Sequence, residues 1–363
     1  MTVLVSLSEI PIESILTFSA AFLTTALLCF PLHRYLLRLN VMAYPNERSS
    51  HTKPTATSAG VAIILAIELL GLWWCWRTHS YIYLFLLIAI AIGAIVSFGG
   101  DCRSFSIGLR LSCHALIGAY GTGILLGADR ATDWIWSLLV GLAGTSWLAG
   151  YANAFNFMDG INGLAAGQAT LTSLGMALLA VSGGAQWTDP SILCCLSLAG
   201  GTAGFIPHNF PRARMFMGDV GSIPLGYTLA FICMWVAIEY GRDLIVPLVL
   251  LQANFVLDAT VTLGRRIYRR ERWLESHREH FYQRMVRSGR SHAVVTLVEM
   301  TLQLIVIGLM SRYLQADFLL RLSLMVLVVG LWILFFLWCE LTFRRTFARP
   351  DAQSPAEAMR TTA

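Results

Sequence analysis

Eleven apolar runs separated by short polar breaks constrain this chain more than anything else in its sequence. They fall at about 13–32, 58–76, 81–98, 111–128, 133–152, 163–182, 190–207, 222–240, 243–263, 293–311 and 318–342. A helix needs about 20 apolar residues to cross the hydrocarbon core of a bilayer. Only 13% of the residues are charged and 56% are hydrophobic, whereas a soluble domain carries about 25% charge. That leaves too little polar surface for a water-soluble particle. The expected fold is therefore all-α: a polytopic integral membrane protein of about eleven transmembrane helices. A single transmembrane domain is expected over 1–345, followed by a polar, disordered cytoplasmic tail over 346–363. The break between the eighth and ninth runs is short, at Glu239, Gly241, Arg242 and Asp243.

Basic residues set the orientation, because Lys and Arg accumulate in cytoplasmic loops. With the N-terminus outside and the C-terminus inside, only Arg77, Arg130, Arg242, Arg312 and Arg321 of the 26 Lys and Arg fall on the outer side. The inner loops, at about 37–57, 99–110, 153–162, 208–221 and 264–292, are the longer ones and hold nearly every polar cluster. The working face is thus expected in the cytoplasm. All cysteines except Cys102 lie in apolar runs, so they read as small buried hydrophobes and not as bridges. The N-terminus lacks a basic leader and carries Glu9 and Glu13, which fits an uncleaved first span.

Five inner clusters stand out. YPNERSSHTKPT (44–55) brackets Ser49 and His51 between prolines: either a turn-rich connector or a set of donors for a polyanion. In FGGDCRSFSIGLR (98–110), Gly99 and Gly100 are expected to release the chain from the helix, leaving Asp101 at the membrane surface as a helix-end acid beside Arg103 or as a functional carboxylate. NAFNFMDGING (153–163) gathers Asn153, Asn156, Asp159 and Asn162 without one Lys or Arg. Carboxylate and amide oxygens suit Mg²⁺ or a polar substrate. In PRARMFMGDVGSIPLG (211–226), Asp219 sits between Gly218 and Gly221; Ser222 is a candidate helix cap and the helix start a candidate anion site. Residues 265–290 hold nine Arg together with His277 and His280. A basic juxtamembrane run explains the arginines as topology or lipid contacts, but not the H-R-x-H spacing. It gives no reason to expect nucleic acid as a partner.

Three acids therefore end on one face. Carboxylates at about 4 Å repel by roughly 4 kcal/mol at an effective dielectric of 20. A cation relieves that, and arginines and histidines around it would suit a magnesium-bound diphosphate.

In this order, PNERSSH…PT, the loop acid after the third run, NAFNFMDG, MGDVGS and H-R-x-H-x-Y-Q-R resemble the polyprenyl-phosphate N-acetylhexosamine-1-phosphate transferase superfamily. The likeness is greatest to the branch that initiates O-antigen and related surface polysaccharides; phospho-N-acetylmuramoyl-pentapeptide transferase is a more distant relative. The resemblance covers about 40–290. It implies a bacterial inner-membrane enzyme that uses undecaprenyl phosphate as acceptor and a UDP-N-acetylhexosamine or a deoxy derivative as donor, releasing UMP. It also implies Mg²⁺ near Asp219, with Asn153 as a further metal-site residue and Asp159 close by. Asp101, Asp159 and His280 are then the candidate catalytic residues; Asn156, Ser49, His51, His277 and Arg278 are the candidate substrate-binding residues. Asp101 would either take the last acceptor proton or orient the phosphate through the metal.

Three positions depart from the family pattern. Gly100 stands where a second aspartate is usual, Asn162 replaces the second acid of DGxDG, and PTATSAG (54–60) lacks a basic residue and a glycine. These departures support the alternative of a catalytically weakened scaffold in a polysaccharide assembly complex. A transporter of an anionic or lipid-linked substrate is a second alternative. It needs polar residues at mid-span, and the mid-span runs read as nearly free of charge. The sequence sets no oligomeric state.

Overall fold

The computed structural model describes residues 10–45, 50–102, 105–128, 134–272 and 277–348. The protein is an all-α polytopic membrane protein. Every apolar run becomes a helix or a broken pair of helices: α1 (Ile12–Arg38), α2 (Gly60–Thr78), α3 (Tyr81–Cys102), α4 (Ile107–Ala128), α5 (Trp134–Phe157), α6 (Leu164–Ser182), α7 (Pro190–Asn209), α8 (Asp219–Tyr240), α9 (Ile245–Leu250) with α10 (Ala253–Tyr268), α12 (His292–Met310) and α13 (Phe318–Phe347); the short α11 (Phe281–Arg287) lies in the last inner loop. Among the described residues nine helices are long and apolar enough to cross a membrane, and the α9–α10 pair would make a tenth. α5 carries the remaining run over 24 residues. α6, α7 and α8 are enclosed by their neighbours, whereas α1, α12 and α13 expose Leu, Ile and Phe along their outer faces. In water such faces would be costly; against lipid tails they are not. Cys29, Cys75, Cys113, Cys194, Cys195, Cys233 and Cys339 are free thiols.

Three expectations need correction. The ninth run is not one helix: α9 and α10 meet at a 66° bend. The break leaves the Leu251 carbonyl without a helical partner, and Gln168 Nε2 (3.2 Å), Gln303 Nε2 (2.8 Å) and Thr172 Oγ1 (3.4 Å) donate to it instead. Irregular backbone at membrane depth is tolerated when side chains satisfy it in this way. Second, α3 does not end at the glycine pair but runs on to Cys102. A Cβ at Gly99 would press on the Phe105 ring at 3.1–3.2 Å, so this glycine admits a neighbour where a chain exit was expected. Third, the apolar runs, read as nearly free of charge at mid-span, hold two buried acids, Asp258 and Glu299, at 1% and 0% exposure.

The first inner loop folds back on itself as two short antiparallel strands, β1 (Met42–Ala43) and β2 (Thr55–Ala56). Phe216 N donates to Ala56 O, and Ala59 N and Gly60 N donate to Phe216 O and Met217 O, at 2.8–3.0 Å. This pins β2 and the start of α2 to the chain that leads into α8.

Candidate active site

The site is built on the start of α8. Gly218 takes a left-handed φ of +72° to turn the chain into the helix. A Cβ on Gly60 or on Gly221 would run into the other's Cα, so α2 and α8 cross backbone to backbone beside Asp219. Gly221 is thus used for helix packing. The first N–H groups of a helix have no partner within it, and here Asp101 supplies one from α3. Its carboxylate accepts from Asp219 N (3.2 Å), Val220 N (3.4 Å) and the Ser58 hydroxyl (2.7 Å). Capping therefore comes from Asp101 and not from Ser222, whose hydroxyl instead donates to Gly218 O (3.2 Å). Arg103, the expected partner of Asp101, lies outside the described residues.

Asp219, in the first turn of α8, faces the other way. Arg110 Nη1 donates to its Oδ2 at 3.0 Å and Asn156 Nδ2 to its Oδ1 at 2.7 Å. Asn156 Nδ2 also reaches Ser222 Oγ at 2.8 Å. Three residues apart, Asn153 and Asn156 share one face of α5. Asn153 Nδ2 donates to Ala149 O (2.7 Å), so its Oδ1 is turned to His114 Nδ1 (3.1 Å), with a second lone pair left over. Arg110, His114, Asn153, Asn156 and Asp219 form the polar end of a cavity of about 530 Å³ between α4, α5, α8 and α10. Its remaining walls are largely apolar and include Leu111, Trp147, Ile223, Val256 and Leu263.

Asp159 follows the end of α5, where its backbone N–H closes the turn onto Asn156 O (3.2 Å). Its carboxylate accepts no hydrogen bond among the described residues. Burial raises the group above the usual carboxylate range, and the nearby Asp219 and Asp101 raise it further. Asn162 is a brace: its Nδ2 donates to Pro211 O (3.0 Å), its N–H to His292 Nδ1 (3.4 Å), and its carbonyl accepts from Thr296 (2.8 Å). A carboxylate here would set an acceptor against the Pro211 carbonyl, which gives a physical reason for the amide at this position.

The histidine loop packs on the end of α5 from another side. Tyr282 Oη donates to Phe157 O at 2.9 Å. His280 is only 2% exposed, and its Nδ1 lies 2.8 Å from Asp258 Oδ1. His277 sits beside it, ring centroids 5.0 Å apart. Burial, then the neighbouring His280 and Arg266, push the His277 pKa down to about 4, so this ring is neutral at pH 7. Arg278 accepts at its backbone carbonyl from Arg287 Nη1 (3.1 Å). His51 lies against Phe216 (centroids 4.8 Å) with Nε2 3.3 Å from Ala43 O. Ser49 lies outside the described residues. The structure thus brings Asp219, Asn153 and Asn156 to one cavity, with Asp101 behind Asp219; Asp159, His51, His277, Arg278 and His280 do not line it.

Reading the sequence missed Arg110, His114, Ser58 and Asp258. For Asp258 a signal existed. Asn254, Asp258, Thr262 and Arg266 recur every four residues in an otherwise apolar run and form one buried stripe of α10. For Ser58, 43 positions from Asp101, there was none.

Among the described residues no three His, Cys, Asp or Glu side chains form a ready metal cage. A closed cage is not what Mg²⁺ requires, since it commonly takes one or two carboxylates and completes its shell with water and substrate phosphates. Asp219 and Asp159, the latter without a hydrogen-bond donor among the described residues, fit an open site of that kind with amide oxygens nearby.

The site and fold define a class first: a multi-pass membrane protein whose α3–α8 region, residues 83–237, matches the family described as Glycosyl transferase family 4. Kinship is more specific. Decaprenyl-phosphate N-acetylglucosaminephosphotransferase of Mycobacterium tuberculosis is 29% identical over 322 residues, 76% of this chain and 77% of that one. A probable undecaprenyl-phosphate N-acetylglucosaminyl 1-phosphate transferase of Bacillus subtilis is 31% identical over 156 residues, 42% of each chain. Phospho-N-acetylmuramoyl-pentapeptide-transferase of Enterococcus faecalis is 37% identical over 126 residues, 34% of this chain and 38% of that one. The chain is a relative of the polyprenyl-phosphate N-acetylhexosamine-1-phosphate transferases, as its motifs implied.

Proposed function

We propose that this protein transfers a sugar 1-phosphate from a UDP-N-acetylhexosamine, or a deoxy derivative, to undecaprenyl phosphate at the cytoplasmic face of a bacterial inner membrane. The observation that carries this reading is the meeting of NAFNFMDG and MGDVGS side chains at the polar end of an otherwise apolar cavity. A polar end suits phosphates, and apolar walls suit the start of a prenyl chain. An oxygen of the lipid phosphate attacks the sugar-bearing phosphorus, the bond from that phosphorus to the UMP oxygen breaks, and UMP leaves. The product is a lipid-diphospho-sugar that initiates a surface polysaccharide such as O-antigen.

Such transfer asks for positioning and charge neutralisation more than for covalent chemistry. Arg110, half exposed and held by Asp219, can turn a cation toward the phosphates. Asn153 and Asn156 fix the polar end, while Trp147, Ile223 and Val256 keep water from the reacting groups. Mg²⁺ held by Asp219 and Asp159 would neutralise the diphosphate charge. The positive-inside distribution of Arg supports a cytoplasmic site, the side on which a UDP-sugar is available.

Incubating membranes containing the protein with radiolabelled UDP-N-acetylhexosamines and undecaprenyl phosphate tests this. Label should enter the lipid phase with release of UMP. An absence of lipid label with every UDP-sugar of the panel would sink the reading and favour a scaffold.

A further inference from the structure

We infer that Asp258 is a positioning residue for this transfer: it fixes the tautomer and the plane of His280, leaving Nε2 with the lone pair, and so holds the histidine loop against the end of α5 that bears Asn153 and Asn156. The role in transfer rests on the reading above; the tautomer does not.

Asp258 is buried on α10, inside the membrane-facing bundle, where an ionisable side chain is expensive without partners. It has three. Phe281 N donates to Oδ2 at 2.9 Å, Thr262 Oγ1 donates to Oδ1 at 3.0 Å, and His280 Nδ1 lies 2.8 Å from Oδ1. The first two are donors, so the carboxylate meets His280 as an acceptor too. The hydrogen of the neutral imidazole is then on Nδ1, and Nε2 carries the lone pair. The ring has little freedom to turn: it stacks on Tyr282 (5.9 Å, 17°) and lies against His277 (5.0 Å) and Phe157 (6.1 Å).

Asp258 is itself held from both ends of its helix. One turn before it, Asn254 Nδ2 donates to Glu299 Oε2 on α12 at 2.7 Å. Two turns after it, Arg266 pairs with Glu271 (2.9 Å) and Glu279 (3.2 Å) in the histidine loop. The other ionisable groups in its electrostatic reach are Glu299 on α12, Cys339 on α13, and Tyr282 and His277 in the loop. One carboxylate thus ties a bundle helix to the loop, and Tyr282 ties that loop to the end of α5 that bears Asn153 and Asn156.

Asp258→Asn discriminates. An amide cannot accept from both Phe281 N and His280. With Oδ1 kept on Phe281 N, Nδ2 would donate to Nδ1 and move the ring hydrogen to Nε2, a tautomer inversion of the kind known to disable a catalytic histidine. The measurement is ¹⁵N NMR of histidine-labelled full-length protein in nanodiscs above pH 8, with His280→Gln to identify the His280 signals. In the unmodified protein Nδ1 should carry the hydrogen, and in Asp258→Asn it should be on Nε2. Alongside, kcat should fall by about 10²-fold or more, with a smaller change in KM for the UDP-sugar. Asp258→Glu, which keeps an acceptor, should retain the tautomer and recover part of kcat.

A hydrogen on Nε2 in the unmodified protein overturns the inference without any variant having to fold. Inversion with unchanged kcat overturns the role in transfer while leaving the transferase reading intact. A lowered thermal midpoint with tautomer and kcat unchanged reduces Asp258 to a structural brace. No transfer by the unmodified protein is a failure of the transferase reading, and the NMR result still decides the tautomer.

Discussion

Asp101 and Asp159 lie within electrostatic reach of the same carboxylate, Asp219, yet their surroundings are opposite. Asp101 accepts three hydrogen bonds, two of them from the first turn of α8. Asp159 accepts none among the described residues. Asp101 has its oxygens occupied by the fold and caps α8 in return. Asp159, half-buried, keeps its acceptor oxygens open to water or to a ligand. Acids that look alike in the sequence thus divide between holding the site and serving it.

If that division is right, the two positions should fail in different ways. The largest effect is expected at Asp159→Asn: transfer should fall by about 10²–10³-fold, the range for losing one preorganised charge-stabilising group, while the thermal midpoint holds or rises because repulsion is relieved. The pH dependence has a defined sign. A carboxyl raised above its ordinary value near 3.9 keeps its proton to higher pH, and a cation competes with that proton. The Mg²⁺ concentration for half-maximal transfer should therefore fall as pH rises through the raised value, and Asp159→Asn should remove this trend. A trend that survives the substitution would place the competing proton elsewhere.

Asp101→Asn should do less to transfer and more to stability. An amide leaves one α8 N–H or the Ser58 hydroxyl without an acceptor, at a cost of about 1–3 kcal/mol, visible as a lower thermal midpoint in detergent. Transfer should drop by roughly the same factor at every pH from 7 to 9. A defect that fades above about pH 7, past the second pKa of a phosphate monoester near 6, would return Asp101 to the role of proton acceptor. The smallest effect is expected from Gly100→Asp, which restores the acid pair usual in the family. A Cβ there meets Phe105 at 3.8 Å and Arg110 at 3.9 Å, ordinary contacts. Activity should change less than about threefold, since surface charge pairs are weak; a large loss would mean that Arg110 had been drawn away from Asp219.

The apolar runs were legible because helix length and bilayer thickness are matched by simple counting, and the motifs because they keep residue types at fixed spacing. What was not legible depends on partners far along the chain. Asp101 reads as a loop acid until α8, 118 residues on, presents its N–H groups. The α9–α10 bend is invisible in an apolar average, since the side chains that make it tolerable sit on α6 and α12. Asp258 was passed over for the opposite reason: its four-residue stripe is local and readable, but it lies in a segment already assigned to lipid. His280 was picked out by spacing alone, and its burial against Asp258 follows only from the packing of the loop.

The bend at Leu251 also bears on how the protein is made. A segment with an open carbonyl, Gln252, Asn254 and Asp258 is a poor candidate for entering lipid alone, since a mid-membrane Asp by itself costs about 2.5–3.5 kcal/mol on insertion scales. Gln168 has already emerged when this segment is synthesised, but Glu299 lies 45 residues after Asn254. At about 5–20 residues per second that is a wait of roughly 2–9 s. During it, α10 has no α12 to satisfy its polar stripe, so its final seating belongs to a late stage of biogenesis, after the chain around it is in place.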